Sequence, residues 1–210
     1  MVNPVLIDTC QKCQEAVAEL FQESEVAIDI EGVDLSRAGQ VCLIQMCGAS
    51  MDKVFLFDIH QMQDKAFEEG GLKQLLESPD ILKVFYDVRA DNDALFHLHG
   101  IQVQASYDVQ VLWHLKFQHP EDIHLQGLKK ILAVFLDETK VLTRAQIAKM
   151  DAIKEEGQKL FAPEQGGSYE FLEDEAFATH PCAICSHGCE VFVRHEEALD
   201  SPRCRCRKEA

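Results

Sequence analysis

Asp29, Glu31 and Asp91 are the residues whose types and spacing point to chemistry. The first two lie in Val26-Ala27-Ile28-Asp29-Ile30-Glu31, where branched aliphatic residues alternate with a small residue and two carboxylates. That two-residue period is the signature of a β-strand. Side chains two apart on a strand share a face, so Val26, Ile28 and Ile30 point one way and Ala27, Asp29 and Glu31 the other. Two acids side by side on so apolar a strand repel each other and are costly to bury unpaired. A hard divalent cation offsets that cost, because Mg²⁺ is bound by one or two carboxylates together with substrate phosphate. Taken alone, the same pattern also describes an edge strand whose polar face is solvated.

Asp91 supplies a third carboxylate. It lies in Tyr86-Asp87-Val88-Arg89-Ala90-Asp91-Asn92-Asp93-Ala94-Leu95, and with Leu95 and Leu98 it falls at i, i+4 and i+7, one face of a helix. The leucines must face a core, so Asp91 sits in the first turn on that same side, where the helix dipole favours an acid. Asp93 points away and reads as an ordinary helix-terminus acid. Asp87, at the preceding strand end, is a further candidate.

The elements that must position these acids follow from periodicity. A lead-in and one helix occupy residues 1–24, with Asp8 or Thr9 as its N-cap and Ala16, Val17, Leu20 and Phe21 as its apolar stripe. Strands are expected at 25–31, 41–46 and 53–58, joined by connections short enough for an antiparallel meander. The pattern then switches to a helix at 67–77, a strand at 81–86, a helix at 89–99 stopped by Gly100, a short strand around 103–109, and helices near 109–117 and 125–136. The result is an α/β fold: a mixed sheet, three antiparallel strands followed by parallel ones, flanked by helices.

Composition bounds the function. The chain has 210 residues, 47% hydrophobic and 27% charged, enough for one full core with a small appendage. No apolar run approaches the ~18–20 residues of a membrane span, and the N-terminus lacks the layout of a signal or transit peptide. A cytoplasmic or nuclear protein without membrane association is the expectation. The net charge of −16 is unusual for a protein that holds nucleic acid by charge alone. Positive charge is local: Lys129, Lys130, Lys140, Arg144, Lys149, Lys154 and Lys159, then Arg203, Arg205, Arg207 and Lys208. These read either as solvated faces or as a phosphate track. Nine cysteines without a secretory signal argue against a disulfide framework, and Cys42 and Cys47 in an apolar run read as buried thiols.

Several stretches together resemble one known family. Val-Ala-Ile-Asp-Ile-Glu-Gly at 26–32, the Asp-Leu-Ser-Arg-Ala-Gly turn and Leu-Ile-Gln at 43–45 are similar to the first motif of the ribonuclease D-like 3′–5′ exonucleases. These belong to the DEDD superfamily, which has the ribonuclease H-like fold. Residues 83–95 resemble the second motif, with Asp91 in the acid slot, and Ser106-Tyr107-Asp108-Val109-Gln110 resembles the strand that follows. Across residues 5–172 the motifs come in order at suitable spacing. The resemblance implies two Mg²⁺ or Mn²⁺ ions held by Asp29, Glu31 and Asp91 on the phosphate at a free 3′ end of RNA or DNA. One ion would lower the pKa of a bound water and the other would stabilise the leaving oxygen.

The family's third motif, Tyr-x-x-x-Asp on a late helix, is altered. Its upstream context is present from Lys154 to Tyr169, and the helix is expected near 182–199. The best alignment puts Ile184 in the Tyr slot and Gly188 in the Asp slot, so both functional side chains are missing. His187 or Glu190 can substitute through a shift in register, although Glu190 lies two residues past the slot, roughly 200° around a helix. The reading therefore divides the chain into an exonuclease domain at 1–178 and a divergent helix with a Cys/Arg-rich tail at 179–210. The alternatives are a catalytically inactive module of the same fold binding nucleic acid or a protein partner, and a zinc-stabilised interaction protein. Cys182, Cys185 and Cys189, with His180, Cys204 and Cys206 nearby, have donor types suited to Zn²⁺, and Cys10 and Cys13 would join them if the termini meet.

Overall fold

The computed structural model describes residues 3–50, 53–117, 124–128 and 130–131. The expected divergent helix and Cys/Arg-rich tail at 179–210, with the altered third motif and the C-terminal cysteines, lie outside the described residues.

A six-stranded mixed sheet forms the centre. Its strands are β1 (Asn3–Ile7), β2 (Glu25–Val33), β3 (Gln40–Gly48), β4 (Lys53–Asp58), β5 (Leu82–Phe85) and β6 (Ser106–Asp108), in spatial order β1-β4-β3-β2-β5-β6. The expected meander is present, since β2–β3 and β3–β4 pair antiparallel. On one side of it β5 and β6 add parallel to β2, and on the other β1 adds parallel to β4. The sequence reading had no strand at β1 and treated that stretch as a lead-in. Its pairing, Val5 with Phe55 and Leu6 with Leu56, is made with a strand far along the chain that local periodicity does not reveal.

Six helices complete the described part: α1 (Cys10–Leu20), α2 (Ile59–Met62), α3 (Asp64–Glu68), α4 (Leu72–Leu76), α5 (Arg89–His99) and α6 (Val109–Phe117). Thr9 is the N-cap of α1, accepting from the Lys12 backbone N–H. The single helix expected at 67–77 is instead split between α3 and α4. α3 ends at the C-cap Glu69, and Gly71, with φ +87, is the N-cap from which α4 starts. At the end of α5, Gly100 adopts φ +63 and donates to the Phe96 carbonyl, while the Ile101 N–H reaches the Leu95 carbonyl. The glycine stop is the one expected.

The two sheet faces are as the alternation of β2 demands. Val26, Ile28, Ile30, Ile44, Met46, Phe57 and Phe85 bury one face against helices α1 to α5. The other face carries Ala27, Leu43, Cys47, Val54, Leu56 and Val84, with Val109 from α6 and the partly buried Tyr86 and Leu128 packed on it. Asp29 and Glu31 belong to this second face by their spacing from Ala27. Cys42 and Cys47 are buried, as expected. Cys13 is likewise buried; its thiol donates to the Ala66 carbonyl at 3.6 Å, and burial pushes it up to about 12. Buried and donating to a backbone carbonyl, this thiol packs among the residues of α1 and α3.

Lys83 is an exception within the core. It is completely buried in β5, and burial lowers it to about 8. Its Nζ donates to the Ile81 carbonyl at 2.8 Å and to the Ser78 carbonyl, so the ammonium ties β5 to the turn that leads into it. Backbone carbonyls thus take the place of the water that a lysine normally requires.

The register of β2 against β3 shifts between Glu31 and Gly32, a bulge immediately after the second acid. A Cβ on Gly32 would lie 1.9 Å from the Gln40 carbonyl oxygen, so only glycine lets the two backbones approach. Gly32→Ala is expected to destabilise the protein by about 1–3 kcal/mol or more, the cost of overpacking against backbone. Urea denaturation of both proteins measures it, and an unchanged midpoint would show that the bulge does not depend on glycine.

Candidate active site

The site is built where β2, β5 and β6 meet the start of α5. Asp29 and Glu31 come from β2, paired there with Gln45 and Leu43 of β3 beyond the end of its pairing with β5. Asp91 comes from the first turn of α5, buried together with Ala94 and Leu95 on one helix face as the spacing predicts. Burial above all, and then the negative charges of Asp29, Asp87 and Asp108, push Asp91 up to about 8. Asp29 and Asp91, 62 residues apart in the chain, are therefore brought into electrostatic contact.

Asp87 forms the elbow between β5 and α5. Its φ of +62 is one that L-residues rarely adopt and that Asp tolerates better than most. Its carboxylate is occupied: Arg89 donates from Nε to Oδ1 at 2.6 Å and from Nη2 to Oδ2 at 2.8 Å. This bidentate pair holds the Asp87 carboxyl below the usual range. The candidate role read for Asp87 is thus filled by shaping the elbow.

Asp108 is the residue that the sequence reading passed over as a mere part of the following strand. Its Oδ1 accepts from the backbone N–H of Asp87 at 3.1 Å, Gln110 at 2.9 Å and Val111 at 3.4 Å, and its Oδ2 from that of Val88 at 3.1 Å. One carboxylate therefore caps the start of α6 and fixes the elbow that aims Asp91. The available signal was the N-cap position of an acid before Val109-Gln110-Val111. Nothing local hinted at the second half of its role.

Asp93 is also more than a helix-terminus acid. It accepts from the Arg37 backbone N–H at 2.9 Å, from Arg37 Nη2 at 2.7 Å and from Nε at 3.3 Å. This pins the β2–β3 loop onto α5, next to the strand that carries Glu31. The pair is largely solvent-exposed, so its value is in placing the loop more than in net stability.

The donor set is all carboxylate oxygen, which suits a hard divalent ion over a soft one. Among the described residues no group of three or more His, Cys, Asp or Glu side chains is gathered tightly enough to hold a metal ion on its own. Mg²⁺ is commonly bound by one or two carboxylates and completed by substrate phosphate, so the arrangement fits an ion that enters with substrate. His187 and Glu190, the candidate substitutes in the third motif, and Cys182, Cys185 and Cys189, the candidate zinc ligands, lie outside the described residues.

A mixed sheet of this order, with acids on its central strand and on the helix after the fourth strand of the meander-plus-parallel series, defines a ribonuclease D-like exonuclease fold of the DEDD type. The family described as 3′-5′ exonuclease matches residues 4–169, and the chain belongs to it. It is similar to piRNA biogenesis protein EXD1 of Mus musculus, 36% identical over 107 residues, 51% of this chain and 18% of that protein. It is also similar to ribonuclease D of Gluconacetobacter diazotrophicus, 32% identical over 110 residues, 52% of this chain and 27% of that protein. The chain thus spans only a fraction of the length of these curated relatives. Among solved structures, the Trypanosoma brucei RNase D:GMP complex superposes with a TM-score of 0.74 at 22% identity, covering 95% of this chain and 57% of that one. Brucella melitensis NrnC with bound Mg²⁺ gives 0.51 at 20% identity, covering 96% and 97%. DEDD exonucleases generally use divalent metal ions, in keeping with the carboxylate donor set. No helix among the described residues is long and apolar enough to cross a membrane.

Two outcomes are expected from this geometry. Removing the carboxylate in Asp108→Ala releases four backbone N–H groups and should cost about 1–2 kcal/mol, whereas Asp108→Asn, which keeps an acceptor oxygen, should recover part of it. Equal melting temperatures for Ala and wild type would refute the double role. The second concerns pH. Unfolded Asp titrates near 3.9 and folded Asp91 near 8, so between these values the folded state holds a proton that the unfolded state does not. Stability in EDTA therefore falls as pH rises from about 4 to about 8, and Asp91→Asn escapes that loss. The melting temperature of Asp91→Asn should gain on wild type across this window and level off above it; a constant difference would contradict the raised pKa.

Proposed function

We propose that the chain removes nucleotides hydrolytically from the 3′ end of a nucleic-acid strand, with Asp29, Glu31 and Asp91 as ligands for two Mg²⁺ or Mn²⁺ ions. The observation that carries this reading is the convergence of Asp29 and a buried Asp91 on one spot, inside a domain of the 3′-5′ exonuclease family. When bound there, such ions supply a water of lowered pKa and neutralise charge on the leaving oxygen. The chain's own residues do the rest. Asp29 and Glu31 present oxygen donors from one face of a central strand. Asp91 completes the set from the helix, and it must release its proton before it serves as a ligand. The Asp87 elbow and Asp108 hold it at that place, and Arg37 keeps the adjoining loop against α5.

RNA is the better-supported substrate. The similar proteins include one named for piRNA biogenesis and ribonuclease D, and a Trypanosoma brucei RNase D structure contains RNA U12. Turnover is expected to be slow. With Ile184 and Gly188 in the slots for the water-orienting Tyr and the further acid, a loss on the order of 10² or more follows from the missing group alone, unless His187 or Glu190 substitutes. The same departure favours a second reading, in which the fold is retained as an inactive module that binds nucleic acid or a protein partner.

The test uses 5′-labelled single-stranded RNA and its DNA equivalent with Mg²⁺ or Mn²⁺, comparing wild type and Asp29→Asn. The expected outcome is a ladder shortening from the 3′ end, stronger on RNA and at least ~10²-fold slower in Asp29→Asn. Measurable strand binding without a ladder under either metal would replace the exonuclease by the inactive module. Neither cleavage nor binding would leave the protein-partner form of that module.

A further inference from the structure

Gln45 stands in the middle of β3, completely buried, and neither its Nε2 nor its Oε1 has a hydrogen-bond partner among the described residues. A buried amide in this condition is destabilising compared with an apolar side chain of the same size, so its presence asks for a ligand. The register names the direction in which to look. Leu56 of β4 lies opposite Gln45 on one side and offers no polar atom, whereas Asp29 of β2 lies directly opposite on the other. Side chains so paired in an antiparallel sheet share a face, with Cβ atoms about 4.5–5.5 Å apart, a span that a glutamine covers easily.

The chemistry of the amide suits that place. It carries donors at one end and an acceptor at the other, and it adds no charge. A lysine there would neutralise Asp29 and compete with a cation, a glutamate would add to a repulsion that already raises Asp91, and a leucine would leave the Asp29 carboxylate without support from this side. Metal-binding side chains are commonly oriented by such outer partners.

We propose that Gln45 is a positioning residue for the divalent-ion site, its Nε2 donating to Asp29 and its Oε1 accepting from the hydration water of the filled site. The inference rests on the metal-binding reading given above. Without a ligand the buried amide is a penalty, and a bound ion would give it partners.

The test uses the full chain purified in EDTA, with calorimetric titration of Mn²⁺ and thermal melts with and without it, for wild type, Gln45→Met and Asp29→Asn. Gln45→Met should melt a few degrees above wild type without metal, because the unpaired amide is gone. It should bind Mn²⁺ about 10-fold or more weakly, with a smaller Mn²⁺-induced rise in melting temperature. Unchanged Mn²⁺ affinity in Gln45→Met, with binding lost in Asp29→Asn, would overturn the role of Gln45 and leave the metal site standing. If wild type takes up no Mn²⁺, the metal-binding reading falls and the role of Gln45 with it. If Gln45→Met melts below wild type in EDTA, or does not fold, the amide is a structural group and the proposal is likewise overturned.

Discussion

Like-charge repulsion at one end of the sheet is the constraint to which the surrounding architecture answers. Asp29, Asp87, Asp91 and Asp108 lie close enough for the other three to act on Asp91. Three of the four acids are accommodated in different ways. Asp87 is neutralised by the fork of Arg89, Asp108 is solvated by backbone N–H groups, and Asp91 holds its proton to near neutral pH. Such a gathering of acids is costly, and a bound cation would offset that cost. Functional sites are commonly paid for in stability in this way.

The parts of the fold legible in the sequence were those whose residue types differ sharply between two faces. In β2 the aliphatic and acidic sets alternate without exception from Val26 to Glu31, so strand, faces and candidate ligands came together. In α5 the spacing of Asp91 and Leu95 and the stop at Gly100 did the same. Features made by distant partners were not legible. Strand β1 exists because β4 offers it an edge, and the break between α3 and α4 hides within an apolar stripe that continues across it. The burial of Lys83 depends on carbonyls presented by a turn, which no strand period reveals. The second role of Asp108 depends on the left-handed elbow at Asp87, which no local pattern announces.

The resemblance to the curated relatives covers about half of the chain. The departures read from the sequence, Ile184 and Gly188 in the slots of the third motif, lie outside the described residues. A family site assembled from separate elements can lose one contributor while the others keep their geometry, because β2 and the start of α5 are held by their own pairing and caps. Fold retention and catalytic competence are for that reason separable in this architecture.

The hydrogen bonds around Asp108 extend further than the elbow. Asp108 holds the Gln110 backbone, Gln110 donates from Nε2 to the Gln126 carbonyl at 3.1 Å, and the Tyr86 hydroxyl donates to that same carbonyl. Tyr86 immediately precedes Asp87, so the relay closes on itself. The stretch around Gln126 is thereby geared to the hinge that carries Asp91. The Gln126 carbonyl thus links the strand end at Tyr86 to the helix start at Gln110.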